Sequence, residues 1–167
     1  MFLKGLIYSL LFACFMLIGC KTAPDYPEGP TIQYKSLRVA VGTDPNTFAR
    51  VDSAYITISF QDGNGDLGNE PAQSDDYFVK VYRKNAGTFT EVVFTSLDYN
   101  GKLPLLSPYS AKGPIDGTIT RSITFLKPAF ATGPLYPLDT VRFDVQIKDR
   151  AGNFSSWITT ESFVLWK

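Results

Sequence analysis

An acidic loop at residues 62–68 carries oxygen-bearing side chains at every second position. Its sequence is DGNGDLG, so Asp62, Asn64 and Asp66 alternate with glycine. Glycines between such side chains let a loop curl until three ligands converge on one point, and Ca²⁺ prefers roughly six to eight hard oxygens at about 2.3–2.6 Å. The spacing therefore indicates a calcium site, in which the ion would pin loops rather than catalyse a reaction.

The acidic loop is not an EF-hand. Leu67 occupies the sixth position, where glycine is expected, and Gln73 occupies the twelfth, where glutamate is expected. A complete site needs further oxygens, for which Asp76 and Asp149 are the candidates. Asp149 opens a second motif, DRAGN at 149–153, and the ends of strands in a sandwich gather at two poles. The predicted ligands are Asp62, Asn64, Asp66, Asp76 and Asp149.

A turn without an ion accounts for the same residues. Asp, Asn and Gly are the usual residues of tight turns, where their side chains cap their own backbone. In that alternative, Arg150 pairs with one of the carboxylates. No cofactor is required by the sequence, Ca²⁺ is the one that the motif admits, and both interpretations stay open.

The composition excludes several classes of active site. The 167-residue chain contains no histidine, and its two cysteines, Cys14 and Cys20, both lie in the first 20 residues. Zinc sites built on His or Cys, Ser-His-Asp triads and Cys-His nucleophiles are therefore excluded. The acidic residues are spaced like metal ligands or turn caps rather than as an opposed catalytic pair. We expect no enzyme, and 16 basic against 16 acidic residues without a basic block argue against a nucleic-acid partner.

The amino terminus has the pattern of a lipoprotein signal peptide over residues 1–19. Lys4 precedes the uncharged apolar run Gly5–Ile18, whose 14 residues are too few to span a bilayer core of about 30 Å. The ending LIGC looks like a bacterial lipobox, which implies cleavage after residue 19 and acylation of Cys20 with chains such as palmitate. Two or three acyl chains anchor a protein firmly. The alternative is an ordinary signal peptide cut nearby, with Cys20 left as a free thiol.

Residues 20–35 are predicted to be the lipidated cysteine and a proline-rich tether. Three prolines recur at a three-residue spacing in KTAPDYPEGPTIQ, which favours extended polyproline conformation over a packed element. At about 3.1 Å per residue, the 13 residues 21–33 could hold a domain up to about 40 Å from the bilayer. One folded domain is expected to occupy 36–167.

A two-residue hydrophobic period dominates that domain. It is clearest at Val141–Lys148 and recurs at Leu37–Val41 and Ala54–Phe60, and no part of the domain has a sustained 3.6-residue apolar period. About seven short strands separated by turns predict an all-β, antiparallel β-sandwich of immunoglobulin or fibronectin type III architecture. The weaker predicted strands are Tyr77–Arg83, Phe89–Thr95, Ile119–Leu126 and Ile158–Trp166.

Two connections, Leu97–Thr118 and Lys127–Leu138, are longer than a minimal sandwich needs. Long ordered loops often carry function, and exposed apolar side chains on them suit a protein partner. The alternative is that these side chains fold back over the ends of the sandwich. The candidate partner-binding residues are Leu105, Tyr109, Phe130 and Tyr136.

Segments 60–68, 115–119 and 141–155 together resemble a family of Bacteroidetes-type outer-membrane lipoproteins. The resemblance implies an immunoglobulin-like domain anchored on the periplasmic or the outer face of the outer membrane. Surface-displayed lipoproteins of such bacteria often carry acidic residues directly after the lipidated cysteine. Residues 21–25 read KTAPD instead, so the face of the membrane stays open.

The function expected from these features is a non-catalytic binding or scaffold module of the cell envelope. Its expected partners are the lipid bilayer, through acylated Cys20, and an envelope protein. The alternative is a carbohydrate-binding accessory lipoprotein, because 14% of the residues are aromatic and sandwich loops can present aromatic rings to a glycan. The two tryptophans, Trp157 and Trp166, lie in the last predicted strand, where packing is the commoner role.

Overall fold

Alternating side chains build eight strands in the computed structural model, which describes residues 23–68, 74–95, 97–106, 113–127 and 134–167. Of the predicted site residues, Cys20, Tyr109 and Phe130 lie outside these ranges. Among the described residues, no helix is long and apolar enough to cross a membrane. The strands are β1 Thr31–Thr43, β2 Arg50–Asp62, β3 Tyr77–Asn85, β4 Thr88–Glu91, β5 Ile115–Leu126, β6 Thr140–Ile147, β7 Ile158–Thr159 and β8 Phe163–Val164.

The eight strands form two antiparallel sheets. The first has the order β1-β2-β5, and the second has the order β4-β3-β6-β7, with β8 also pairing with β6. Apolar side chains of both sheets form one core, in which the rings of Phe125 on β5 and Phe143 on β6 stack with centroids 6.0 Å apart. The predicted all-β, antiparallel sandwich is therefore confirmed, with eight strands rather than about seven.

The inward-facing positions of β2 and β6 form the centre of the core. Ala54, Ile56 and Ile58 on β2 are fully buried, as are Val145 and Ile147 on β6, and each alternates with a partly exposed neighbour. Fully burying one large aliphatic side chain stabilises a protein by about 1.5–3 kcal/mol. The apolar side chains at alternate positions of β2 and β6 thus form the buried contact between the two sheets.

Strands β1 and β5 are longer than the local sequence indicates, because β2 offers both of them its full length. Thr31 pairs with Gln61 on one side of β2, and Ile115 pairs with Asp62 on the other. Strand β1 consequently starts five residues before Ser36, inside the segment 20–35 that the sequence assigns to the tether. Backbone pairing over the length of β2 outweighs the proline-rich composition of that segment.

The predicted strand Ile158–Trp166 is divided into β7 and β8. Between them, the hydroxyl of Thr160 accepts a hydrogen bond from the backbone N–H of Phe143 at 3.0 Å. The N–H of Thr160 still donates to the carbonyl oxygen of Phe143 at 2.9 Å, so a side-chain oxygen replaces a backbone acceptor for only one of the two hydrogen bonds at this point. Strand β4 also differs from its prediction, since it ends at Glu91 rather than at Thr95.

Candidate functional site

The carboxylates of Asp62, Asp66 and Asp149 meet at one end of the sandwich, which we call the acidic pole. Asp62 is the last residue of β2, and Asp149 follows the end of β6 by two residues. One carboxylate oxygen from each of the three residues lies within 4.8 Å of the other two. The structure thus places Asp149 beside the acidic loop, although 83 residues separate it from Asp66 in the sequence.

Backbone N–H groups hold this cluster together. The N–H of Asp66 donates to Oδ2 of Asp62 at 2.8 Å and to Oδ1 of Asn64 at 3.2 Å. The N–H of Ala151 donates to Oδ2 of Asp66 at 3.0 Å, which docks the turn after β6 onto the acidic loop. Asp149 caps its own turn by accepting the N–H of Asn153 at 2.7 Å. The expected capping of turns by Asp and Asn therefore occurs, but it uses only part of the available oxygen atoms.

Two oxygen atoms of the cluster are buried and unpaired. Oδ1 of Asp62 and Oδ1 of Asp66 have no hydrogen-bond partner among the described residues, and Asp62 is fully buried. Burial raises the pKa of Asp62 to about 6, and the negative charges of Asp66 and Asp149 act in the same direction. Burial and the charge of Asp149 also raise the pKa of Asp66. The site therefore gathers three carboxylates, of which Asp62 and Asp149 are buried and Asp66 is partly exposed.

Arg150 lies against the backbone of the acidic loop. Its Nη1 donates to the carbonyl oxygens of Leu67 at 3.1 Å and Gly68 at 3.0 Å. Its charge opposes the upward shift in the pKa of Asp66. These hydrogen bonds from Arg150 thus stabilise the backbone conformation of the acidic loop.

Asp76, the remaining predicted ligand, has a different position. It is fully buried, and its Oδ1 accepts the N–H of Leu103 at 2.6 Å. Burial raises its pKa. Among the described residues, however, the group of carboxylates within 4.8 Å of one another consists of Asp62, Asp66 and Asp149. Asp76 ties the connection after β4 to the start of β3 instead of joining that cluster.

Residues 23–30, which precede β1 and which we call the amino-terminal segment, pass over the acidic pole. The sequence does not predict this contact. The N–H of Gly63 donates to the carbonyl oxygen of Pro27 at 2.7 Å, and the hydroxyl of Tyr26 donates to Oδ1 of Asp116 at 3.2 Å. A Cβ atom at Gly63 would meet the carbonyl oxygen of Pro27 at 2.7 Å. The signal in the sequence is Gly63 itself, which permits this close approach.

The two described partner-binding candidates lie at opposite poles. Leu105 is 38% exposed next to the acidic loop, where the N–H of Leu106 donates to the carbonyl oxygen of Leu67 at 3.5 Å. Tyr136 is 41% exposed, and its ring lies 5.8 Å from the guanidinium of Arg83, near the other end of β3. The structure therefore does not unite these residues in one surface.

The same two connections also contain side chains that fold back. Leu103 and Leu135 are both buried in the core. The alternative of inward packing thus holds for these two leucines, whereas Leu105 and Tyr136 remain more than one third exposed.

A cation–aromatic face covers the outer side of the second sheet, and sequence reasoning missed it. Lys80 Nζ lies 5.3 Å from the ring centre of Trp157, and Lys148 Nζ lies 5.8 Å from that of Phe154. Arg142 stacks 4.3 Å from the ring centre of Phe89. The signal was the alternation of aromatic and basic residues at the outward positions of β3, which are Phe78, Lys80, Tyr82 and Lys84.

No protein-family model, curated protein or solved structure matches this chain. The resemblance to Bacteroidetes-type lipoproteins therefore stays a prediction.

Proposed function

We propose that this chain is a lipid-anchored, non-catalytic binding module of the cell envelope, with an immunoglobulin-like domain held at the outer membrane through acylated Cys20. The observation that carries the proposal is the direction of the chain. The amino-terminal segment reaches the sandwich at the acidic pole, where Pro27 accepts a hydrogen bond from Gly63. The opposite end, which we call the distal pole, would then face away from the anchoring bilayer.

The contact at Pro27 shortens the tether. Seven residues, 20–26, precede Pro27 in the mature chain. At about 3.1 Å per residue they reach about 22 Å in extended conformation, roughly half of the reach inferred from the sequence alone. A module on such a tether keeps the acidic pole close to the bilayer and presents the distal pole to a partner.

The distal pole has the surface expected of a contact with another protein. Phe48, in the connection between β1 and β2, is 82% exposed, and Leu138, before β6, is 66% exposed. Both adopt positive φ angles, 57° for Phe48 and 69° for Leu138. A bulky residue in this conformation is uncommon and strained. Large apolar side chains held out on strained turns suit insertion into an envelope protein better than exposure to water.

Two measurements test the anchor and the direction of presentation. Cells supplied with labelled palmitate should incorporate the label into the wild type and not into Cys20→Ser. A photo-crosslinking amino acid at position 48 should give one defined adduct with an envelope protein in intact cells. The matched control is position 105, which is exposed at the acidic pole. Absence of the palmitate label from the wild type, or equal labelling of Cys20→Ser, would refute the anchor, and equal adducts from both positions would refute distal presentation.

The second candidate function, carbohydrate binding, is favoured by the cation–aromatic face. Trp157 is 42% exposed and Phe154 is 55% exposed, in contrast to the buried Trp166. Aromatic rings stack on sugar rings. Lys80 is already paired with Glu91 at 3.2 Å, whereas Lys148 beside Phe154 forms no ion pair among the described residues and could pair with an acidic group of a polysaccharide. A glycan array should show binding that Trp157→Ala abolishes and Tyr136→Ala preserves. An array without signal would remove this candidate.

A further inference from the structure

We propose that Asp62, Asp66 and Asp149 bind one Ca²⁺ ion, which joins the end of β2 to the turn after β6. This inference does not depend on the lipid anchor or on the partner at the distal pole. It also narrows the ligand set suggested by the sequence, because Asp76 lies outside the cluster.

The spacing of the three carboxylates matches one coordination sphere. Two oxygens on opposite sides of a Ca²⁺ ion, each at about 2.4 Å, are about 4.8 Å apart. The oxygens contributed by Asp62, Asp66 and Asp149 all lie within 4.8 Å of one another. A single ion between them could therefore contact all three side chains without a change in backbone conformation.

The unpaired oxygens supply the independent argument for a ligand. Asp62 is fully buried, and its Oδ2 already accepts the N–H of Asp66, while its Oδ1 is buried without a partner among the described residues. Asp66 repeats this arrangement, with Oδ2 accepting the N–H of Ala151 and Oδ1 buried and unpaired. A buried carboxylate oxygen is costly unless a proton, a hydrogen-bond donor or a cation meets it.

The donor set favours Ca²⁺ over other metals. The three carboxylates offer only oxygen ligands, which hard cations prefer. Mg²⁺ demands near-ideal octahedral geometry and gives up its water reluctantly, so it is rarely enclosed by buried protein ligands. Ca²⁺ accepts the irregular arrangement that a glycine-rich loop provides.

The ion would fasten together parts of the chain that are distant in sequence. Asp62 is the last residue of β2 in the first sheet and Asp66 lies in the loop that follows it, whereas Asp149 follows β6 of the second sheet. The amino-terminal segment contacts both parts, since Gly63 bonds to Pro27 and a Cβ atom at Gly29 would lie 3.3 Å from Cβ of Asn153. Ca²⁺ would therefore stabilise the contacts between the acidic loop and the turn after β6, at the point where the tether meets the domain.

The test compares calcium with a chelator on the full chain purified in detergent. Calorimetric titration with CaCl₂ should give one site per chain, and at 100 times Kd the folding equilibrium constant should rise about 100-fold, seen as a higher unfolding temperature. Asp62→Asn and Asp149→Asn should lose the response. Asp76→Asn, a buried carboxylate at the same pole but outside the cluster, should keep it.

The order of the unfolding temperatures of the wild type and Asp62→Asn should reverse between chelator and calcium. This reversal distinguishes metal binding by Asp62 from a purely structural role of its side chain. In chelator, Asp62→Asn should unfold at a higher temperature than the wild type, because it removes one of three like charges; in calcium it should unfold at a lower temperature. A wild-type unfolding temperature that is the same in calcium and in chelator would overturn the proposal, since a proton would then satisfy the buried oxygens. An equal response to MgCl₂ would overturn the assignment to Ca²⁺.

Discussion

Replacing Asp52 by alanine should weaken the attachment of the carboxyl-terminal segment to the first sheet. Asp52 lies on β2 and is 1% exposed. Its Oδ2 accepts the backbone N–H of Trp166 at 2.7 Å, and its Oδ1 pairs with Nε of Arg50 at 3.0 Å. Alanine removes both contacts and leaves the N–H of Trp166 buried without its acceptor.

The size of the effect follows from these contacts. A hydrogen bond to a charged group contributes about 1.5–3 kcal/mol, and leaving a buried donor unpaired costs about 1–3 kcal/mol; the two figures overlap, because both describe the loss of the same bond. The ion pair adds little, because the side chain of Arg50 is 32% exposed and water screens it. We expect the free energy of unfolding to fall by about 2–4 kcal/mol.

Urea denaturation followed by tryptophan fluorescence measures this change. Trp166 is 5% exposed and Trp157 is 42% exposed, so the spectral shift on unfolding reports mainly on Trp166. Arg50→Ala is the control that keeps the bond from Trp166. It removes the ion pair and also the exposed hydrogen bond from Nη1 of Arg50 to the carbonyl oxygen of Lys167. Because water screens the side chain of Arg50 in both contacts, their combined cost should stay below about 1.5 kcal/mol. A loss of less than about 1 kcal/mol for Asp52→Ala would show that the bond to Trp166 does not hold the segment.

Three other perturbations test the acidic pole, the tether contact and the core. In chelator, the wild type should lose stability relative to Asp62→Asn as the pH rises from about 4 to about 6. The pKa of Asp62 is raised to about 6 in the folded state, so the folded protein holds this proton to higher pH than the unfolded chain does. Urea midpoints across this range measure the difference, and parallel curves would contradict it. Gly63→Ala should cost about 1–3 kcal/mol and speed proteolysis near Pro27, since its Cβ would meet that carbonyl oxygen; unchanged cleavage would argue against the contact. Phe143→Ala, at a fully buried position, should cost about 3–5 kcal/mol in the same urea assay, and a cost below about 1 kcal/mol would show that the site collapses around the smaller side chain.

The fold could be predicted where side-chain alternation and burial agree. Val141–Lys148 alternates without interruption, and β6 is the central strand whose inward residues are fully buried. The strand prediction was weaker where pairing with a neighbouring strand decides how far a strand extends. In residues 31–35, Ile32 and Tyr34 alternate with polar residues, but the prolines just before them favoured an extended tether, and pairing with β2 places this segment in β1.

The sequence predicted that acidic residues form the candidate site, but it did not predict correctly which of them lie together. The alternation of Asp, Asn and Gly in the acidic loop pointed to converging oxygens, and the motif at Asp149 was expected to lie near it because strands end at shared poles. The exclusion of Asp76 depends on Leu103, whose N–H binds its carboxylate. No local pattern reveals a partner 27 residues away.

The sequence by itself determined the period of the strands, the classes of catalytic chemistry that the residues exclude, and the acidic loop, because each of these depends on residue type and near-neighbour spacing. Only the tertiary structure decided which carboxylates share one buried volume, which oxygens stay unpaired there, and which pole the amino-terminal segment contacts. Those properties depend on distances between residues far apart in the chain, such as Gly63 and Pro27 or Asp66 and Asp149. Such distances are set by how two sheets pack and by which backbone groups remain to be paired.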